Sequence, residues 1–118
     1  MSSAWPTELR LNPAKDLLTV SFDDGIKLAL PAEYLRVESP SAEVKGHGPG
    51  QRKTVPGKRK VQVTRLEPVG NYAIRIVFDD GHDTGLYSWS LLRELGDEQD
   101  TRWNAYLEEL AAQGLNRE

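Results

Sequence analysis

The tetrapeptide FDDG occurs twice in this chain, at 22–25 and again at 78–81. Each copy ends a β-branched run, LLTVSF (17–22) or YAIRIVF (72–78), and the alternating segment IKLAL (26–30) follows the first copy. Asp-Gly between two such runs is typical of a tight hairpin, because Gly accepts a positive φ angle and Asp tolerates it. We therefore interpret the repeated acids as turn residues rather than as carboxylates for acid/base catalysis or metal binding.

The elements around the two turns suggest one supersecondary unit present in two copies. TELRLN (7–12) and VQVTRLEPV (61–69) have the pattern of preceding strands, and LPAEYLR (30–36) has that of a short helix. In the second copy, Ser88 can cap a helix WSLLREL that stops at Gly96. Each copy is thus predicted to run strand, Asp-Asp-Gly turn, strand and short helix.

Read without gaps, the two copies are 56 residues apart, so that Phe22, Leu30 and Leu35 correspond to Phe78, Leu86 and Leu91. A last helix, at about 97–113, is predicted from an apolar stripe at helical spacing that Asp97 can cap. The stripe consists of Trp103, Tyr106, Leu107, Leu110 and Ala111. The predicted fold class is α+β, with two β-hairpin/short-helix units that form small antiparallel sheets and a C-terminal helix.

We expect the core to contain apolar residues from the last two helices, and we place Trp5 near an edge. The expected core residues are Trp89, Leu91 or Leu92, Trp103, Leu107 and Leu110.

Length and composition limit the possible chemistry. With 118 residues, the chain has the size of a single domain covering residues 1–118. It contains no cysteine, which excludes disulfides, thiolate metal ligands and a cysteine nucleophile. No apolar run is long enough to span a bilayer, and the N-terminal residues do not resemble a signal peptide, so we expect a cytoplasmic protein without membrane contact.

The segment between the two copies, EVKGHGPGQRKTVPGKRK (43–60), has four Gly, two Pro and no apolar periodicity, which is typical of a loop. Residues 45–60 carry a charge of +6, which leaves −9 on the remainder of a chain whose net charge is −3. Such a loop suits an anion or an acidic protein surface. The alternative is that it only connects the two hairpins.

The residues proposed to bind a partner or an anion in this loop are His47, Gly48, Arg52, Lys53, Lys58, Arg59 and Lys60. The stretch GPGQRKT (48–54) is not a nucleotide-binding P-loop, because Arg52 stands where that motif needs Gly before its Lys-Ser/Thr pair. The loop also lacks the aromatic residues on which bases stack, so any contact with nucleic acid would be to phosphates. Charge reversal of the five Arg and Lys residues is expected to abolish binding with little change in stability.

Two blocks of sequence resemble a known family. EYLRVESPSAEVKGHGPGQ (33–51) and FDDGHDTGLYSWSLLREL (78–95) are similar to the N-terminal domain of gamma-butyrobetaine hydroxylase and to its stand-alone bacterial relatives, the DUF971 family. The resemblance covers roughly residues 7–96. It implies an accessory module, and relatives occur fused to Mrp-type ATPases that assemble iron–sulfur clusters. In the hydroxylases, the resembling domain holds zinc and lies beside a separate dioxygenase domain.

The resemblance places the zinc ligands of those hydroxylases at four positions of this chain. Three cysteine positions fall on Ser39, Ser41 and Val44, and the histidine position falls on His82. Hydroxyls are poor zinc ligands at neutral pH and Val is not a ligand, so we predict no zinc here and no other cofactor. We instead expect His82 to hydrogen-bond Ser39 or Ser41.

Three functional hypotheses remain. The preferred one is a non-catalytic adaptor that binds another protein through the loop and an edge formed by Tyr87, Ser88 and Trp89. The family resemblance suggests iron–sulfur assembly or a metabolic complex as its setting. The second is a small enzyme that uses His47 or His82 with Glu43, Asp80 or Asp83, although neither His lies in the pattern of an iron-binding dioxygenase triad. The third is phosphate or nucleic-acid binding through residues 45–60. The oligomeric state is not indicated.

Overall fold

The computed structural model describes residues 5–41 and 54–118. The first copy of the repeated unit consists of strands β1 (Pro6–Leu11), β2 (Leu17–Phe22) and β3 (Lys27–Pro31), followed by helix α1 (Ala32–Val37). The second copy consists of β4 (Val63–Val69), β5 (Ala73–Phe78) and β6 (Leu86–Ser88), followed by α2 (Trp89–Asp97). Helix α3 (Gln99–Ala112) comes last.

Each copy forms its own antiparallel three-stranded sheet, in the order β1-β2-β3 and β4-β5-β6. The middle strands bury alternate residues at equivalent positions: Leu18, Val20 and Phe22 in β2 correspond to Ile74, Ile76 and Phe78 in β5. All six belong to one apolar cluster, so the inner faces of both sheets contribute to the same core. The predicted α+β fold with two small antiparallel sheets and a C-terminal helix is confirmed.

Both Asp-Asp-Gly segments form turns with the same backbone bonds. Gly25 and Gly81 have φ angles of 88° and 90°, in the region that side chains disfavour. The Gly25 N–H donates to Phe22 O at 3.1 Å, and the Gly81 N–H donates to Phe78 O at 3.2 Å. The interpretation of the repeated acids as turn residues is therefore confirmed.

The gap-free alignment of the two copies is wrong after the second turn. Leu18 pairs with Leu30 in the first sheet, whereas its equivalent, Ile74, pairs with Tyr87 in the second. The offset between the copies thus changes from 56 to 57 residues. Leu86 is accordingly 46% exposed, and Tyr87 occupies the core position equivalent to that of Leu30. The extra residue is accommodated between Gly81 and β6, where the chain leaves the ladder.

The helix boundaries and part of the predicted core also need correction. Helix α2 continues through Gly96 to Asp97, so Gly96 does not end it and Asp97 does not cap the next helix. A Cβ atom on Gly96 would lie 2.4 Å from a methyl of Leu28, so glycine allows the helix to approach β3 closely. The predicted cap by Ser88 is confirmed, since its hydroxyl accepts a hydrogen bond from the Leu91 N–H at 3.1 Å.

The second cluster lies under α3 and contains Val37, Tyr106 and Leu110. Leu92 and Leu110 are buried as expected, while Trp89, Leu91 and Trp103 are partly buried against the core. The prediction of Leu107 as a core residue is wrong, because Leu107 lies on the outer face of α3 and is 37% exposed. Trp5 is exposed and bonds to the first turn through its backbone. Within the described part of the chain, no helix has the length and apolar character needed to cross a bilayer.

Candidate functional site

The second Asp of each turn has a local role and a long-range role. Locally, Asp24 accepts a hydrogen bond from the Ile26 N–H at 3.1 Å, and Asp80 accepts one from the His82 N–H at 3.0 Å. These bonds fix the backbone two residues on, as Asp commonly does in turns. Turn formation alone therefore accounts for the second Asp of each FDDG segment.

The long-range role joins the two copies. Arg36 of α1 donates to Asp80 in the second turn at 2.8 Å, and Arg93 of α2 donates to Asp24 in the first turn at 2.9 Å. Arg36 and Arg93 are 57 residues apart, which is the offset that relates β3 to β6. Each helix thus bonds to the turn of the other copy, and the two contacts are reciprocal.

The two contacts differ in their surroundings. Asp80 also pairs with Lys58 Nζ at 2.6 Å, and its side chain is only 18% exposed. Burial acts to raise the pKa of Asp80, but hydrogen bonds from Lys58, the His82 N–H and Arg36 outweigh it and lower this pKa from 3.8 to about 2. The hydrogen bond from Arg93 lowers the pKa of Asp24, whose side chain is 39% exposed. The second turn is the more deeply embedded charged cluster.

Next to Asp80, a polar cluster occupies the positions that the family resemblance assigns to zinc. The Ser39 hydroxyl and His82 Nε2 lie 2.8 Å apart and share a hydrogen bond, and the Ser41 and Thr84 hydroxyls share one at 2.7 Å. Ser39 and His82 are almost completely buried. The expected hydrogen bond between His82 and Ser39 is confirmed. It forms because the chain between Gly81 and β6 leaves the sheet and brings His82 toward the end of α1.

The residues at these positions do not suit zinc. Ser39 and Ser41 offer hydroxyl groups where the resembling domains have thiolates, and Ser39 already occupies the Nε2 atom of His82. In residues 5–41 and 54–118, no three His, Asp or Glu side chains form a metal-binding group. Val44 lies outside the described residues. The absence of zinc from the protein stays a prediction.

Among the described residues proposed for acid/base chemistry, Asp80 and His82 are neighbours but are not paired through the imidazole ring. Asp80 contacts His82 through the backbone N–H rather than through the imidazole ring. The imidazole instead bonds Ser39, which is 1% exposed and lies under Gly85, where a Cβ atom would come within 2.6 Å of its hydroxyl. Asp83 is exposed on the surface. His47 and Glu43 lie outside the described residues, so their proposed role is not tested.

The second half of the basic loop is docked against the C-terminal part of the chain. Tyr106 of α3 donates its hydroxyl to Val55 O at 2.6 Å, and Gln113 donates to the Thr54 hydroxyl at 2.8 Å. The Gly57 N–H donates to Asn116 O and the Arg59 N–H to Arg117 O, both at 3.0 Å. Residues 54–60, which we call the docked segment, are therefore bonded both to the C-terminal half of α3 with Gln113 and to residues 116–117.

Two of the three basic residues described in this loop already have acidic partners. Lys58 pairs with Asp80, and Arg59 pairs with Glu118 on the surface. Lys60 is exposed. His47, Gly48, Arg52 and Lys53 lie outside the described residues. Lys58 thus serves the fold, which was not expected from a charge run in a Gly- and Pro-rich segment.

Lys58 is paired with Asp80, whereas Lys60 is exposed, so charge reversal at these two lysines should affect stability differently. Lys58→Glu would place a second acid beside Asp80, so we expect it to lower the free energy of unfolding by about 1–2 kcal/mol. Lys60→Glu, the matched control two residues away, should leave it nearly unchanged. Urea denaturation of both variants measures the difference. Equal stabilities would mean that Lys58 does not hold the cluster.

The predicted partner edge also needs correction, because Tyr87 does not reach the surface. Its side chain is fully buried, and its hydroxyl donates to Leu35 O at 2.5 Å. Ser88 caps α2, and the Trp89 indole N–H donates to Asn71 O at 2.9 Å. Only Ser88 and Trp89 remain as accessible members of the edge, beside the exposed ring of Tyr72.

Sequence reasoning missed two sets of polar residues. Arg36 and Arg93 could have been found only by placing the copies at an offset of 57 residues. Glu33, in the first turn of α1, is buried and forms a two-bond ion pair with Arg117, at 2.8 and 2.7 Å. No local pattern connects these two residues, which are 84 positions apart.

The fold and these contacts define a small α+β module whose two halves are joined by ion pairs near the surface and by buried hydroxyl groups. A model of the family described as gamma-butyrobetaine hydroxylase-like, N-terminal, matches residues 9–93. The chain belongs to this family, as its two sequence blocks suggested. No curated protein matches the chain.

Solved structures support the same assignment. Two protein structures determined by NMR in solution are 43% and 46% identical to this chain, with TM-scores of 0.85 and 0.84. The matches cover 99% and 98% of this chain, and 92% and 86% of the other chains. A crystal structure of a DUF971-family protein of unknown function from Acidithiobacillus ferrooxidans is 37% identical, with a TM-score of 0.65 over 77% of this chain and 91% of that one.

Proposed function

We propose that this chain is a non-catalytic adaptor that binds an acidic surface of another protein through its basic loop. The observation that carries this proposal is the anchoring of the docked segment by α3 and residues 116–117. This anchoring holds Arg59 and Lys60 at the surface of a body whose remaining charge is −9. A fixed basic surface loses less conformational entropy on binding than a free loop would.

The internal bonding of the polar residues supports the non-catalytic part of the proposal. Ser39, Asp80 and the imidazole of His82 each have a partner within the protein, and these contacts connect the two copies. This role differs from that of a reactive group exposed to substrate. The resemblance to domains fused to iron–sulfur assembly ATPases makes such a complex the first setting in which to seek the partner. A metabolic enzyme complex is the second.

The test is an affinity pull-down from nuclease-treated native lysate, with the bound proteins identified by mass spectrometry. The basic variant is Arg52→Glu/Lys53→Glu/Lys60→Glu, which leaves Lys58 and its ion pair with Asp80 unchanged. The matched control, Arg10→Glu/Lys27→Glu/Arg65→Glu, makes the same change in net charge at exposed positions on the strands.

We expect a specific protein to be retained by the wild type and the control and lost from the basic variant. Once that protein is purified, its affinity for the basic variant should be at least about tenfold weaker than for the wild type. Binding should also weaken as salt is added, because exposed charges are screened. Retention of the same proteins by all three forms would refute a role for the loop and leave it as a connection.

A further inference from the structure

A cavity of about 280 Å³ lies where residue 117 crosses between α1 and the start of α3. Its lining includes Glu33, Tyr34, Asp100, Trp103 and Arg117. The cavity thus combines two carboxylates with two aromatic rings, and Arg117 is the one cation among the described residues of its lining. None of these residues belongs to the polar cluster around His82 or to the docked segment.

Glu33 provides the charged end of the cavity. Its side chain is only 8% exposed, and both carboxylate oxygens accept hydrogen bonds from Arg117. A buried carboxylate needs a cation with suitable donors, and the planar guanidinium group supplies two parallel N–H donors in the required geometry. The contact therefore has the form of a guanidinium recognition site.

Trp103 provides the flat wall of the cavity. The guanidinium carbon of Arg117 lies 5.2 Å from the centre of the Trp103 ring, within the range of a cation–π contact. Tyr34 supports this ring from the side, with the two ring centres 6.3 Å apart in an edge-to-face arrangement. A planar cation thus lies between an acid and an aromatic face whose positions are both fixed by the core.

Arg117 occupies the position between Glu33 and Trp103, but it is held less firmly than these two residues are. Arg117 is 38% exposed and belongs to residues 115–118, which we call the tail. The tail is attached to the docked segment by two backbone hydrogen bonds and the surface pair of Arg59 with Glu118. Short surface segments with few contacts open more readily than packed elements.

We propose that the cavity between α1 and α3 is a binding site for a guanidinium group, and that an arginine side chain of a partner protein replaces Arg117 in it. Lysine fits less well, because its compact ammonium cannot donate two parallel bonds to Glu33 while lying flat on Trp103. Release of Arg117 also removes the acceptors that the tail offers to Gly57 and Arg59. Occupation of the cavity by a partner arginine therefore exposes more of the docked segment.

The probe for this site is methylguanidinium, with methylammonium as the control ligand. In Arg117→Ala the site has no internal occupant, and we expect methylguanidinium to change the NMR shift of the Trp103 indole N–H with a millimolar Kd, as suits so small a ligand. The wild type should bind about tenfold more weakly, because the tethered Arg117 competes. Methylammonium should bind measurably more weakly than methylguanidinium to the same variant.

The double variant Glu33→Gln/Arg117→Ala is the matched control, and it should lose the response to methylguanidinium. If Arg117→Ala does not fold, Arg117→Lys replaces it, because it keeps the charge near Glu33 but lacks the planar fork, and it should still bind the probe more tightly than the wild type. Absence of saturable binding to the folded variant, or binding that survives Glu33→Gln, overturns the proposal.

The proposed adaptor surface can fail without affecting this site. Adding Lys60→Glu to Arg117→Ala should leave the Kd for methylguanidinium unchanged, since Lys60 is not part of the cavity lining. A loss of partner binding in the basic variant with unchanged methylguanidinium binding would therefore separate the two surfaces.

Discussion

Replacing Tyr87 by Ala is expected to lower the free energy of unfolding by about 4 kcal/mol, the largest effect predicted for this protein. The Tyr87 ring is completely buried in the cluster shared by the two sheets. Its removal would leave a cavity. It would also remove the hydrogen bond to Leu35 O, and this carbonyl oxygen would stay buried without the hydroxyl that donates to it. Urea denaturation followed by circular dichroism measures the change.

Two matched variants separate the causes of this loss. Tyr87→Phe keeps the ring and removes only the hydroxyl, so we expect a loss of about 1 kcal/mol. Tyr72→Ala removes an aromatic ring that is 56% exposed in the turn between β4 and β5, and the stability should change little. If Tyr87→Ala were as stable as Tyr72→Ala, the ring would not be part of the core and the predicted partner edge would regain its third member.

The sequence predicted the elements whose signals are local. Strand β2 begins and ends at the residues predicted from LLTVSF, because alternation of apolar residues and the Asp-Gly turn both act within a few positions. The hydrogen bond between Ser88 and the Leu91 N–H is local in the same way. The pairing of His82 with Ser39 was also expected, although from the family resemblance rather than from spacing.

Features that depend on contacts between distant segments could not be predicted in this way. The one-residue shift after the second turn became visible only when Tyr87, rather than Leu86, was seen to pair with Ile74. Gly96 has the sequence appearance of a helix end, but its role is set by Leu28, which approaches from another strand. Likewise, Lys58 reads as part of a solvated charge run until its contact with Asp80 is known.

The second large effect is predicted for the repeated turn, where the two copies can be compared directly. Asp80→Ala should lower the free energy of unfolding by about 3 kcal/mol, because it leaves the nearly buried Arg36 and the partly buried Lys58 without their shared carboxylate. Asp24→Ala is the matched control. It removes the same turn bond and a single arginine contact at a more exposed position, so its effect should be clearly smaller.

The pH dependence of stability provides an independent test of Asp80. Its pKa is about 2 in the folded protein, below the ordinary value of 3.8, so the folded state favours the ionised carboxylate. The ionised form therefore contributes about 2 kcal/mol above pH 4, and this contribution is lost as the pH falls from about 4 to 2. The stability difference between wild type and Asp80→Asn should shrink over this range, while that between wild type and Asp24→Asn should change less. A constant difference for Asp80 would show that Lys58, Arg36 and the His82 N–H do not stabilise its ionised form in the folded protein.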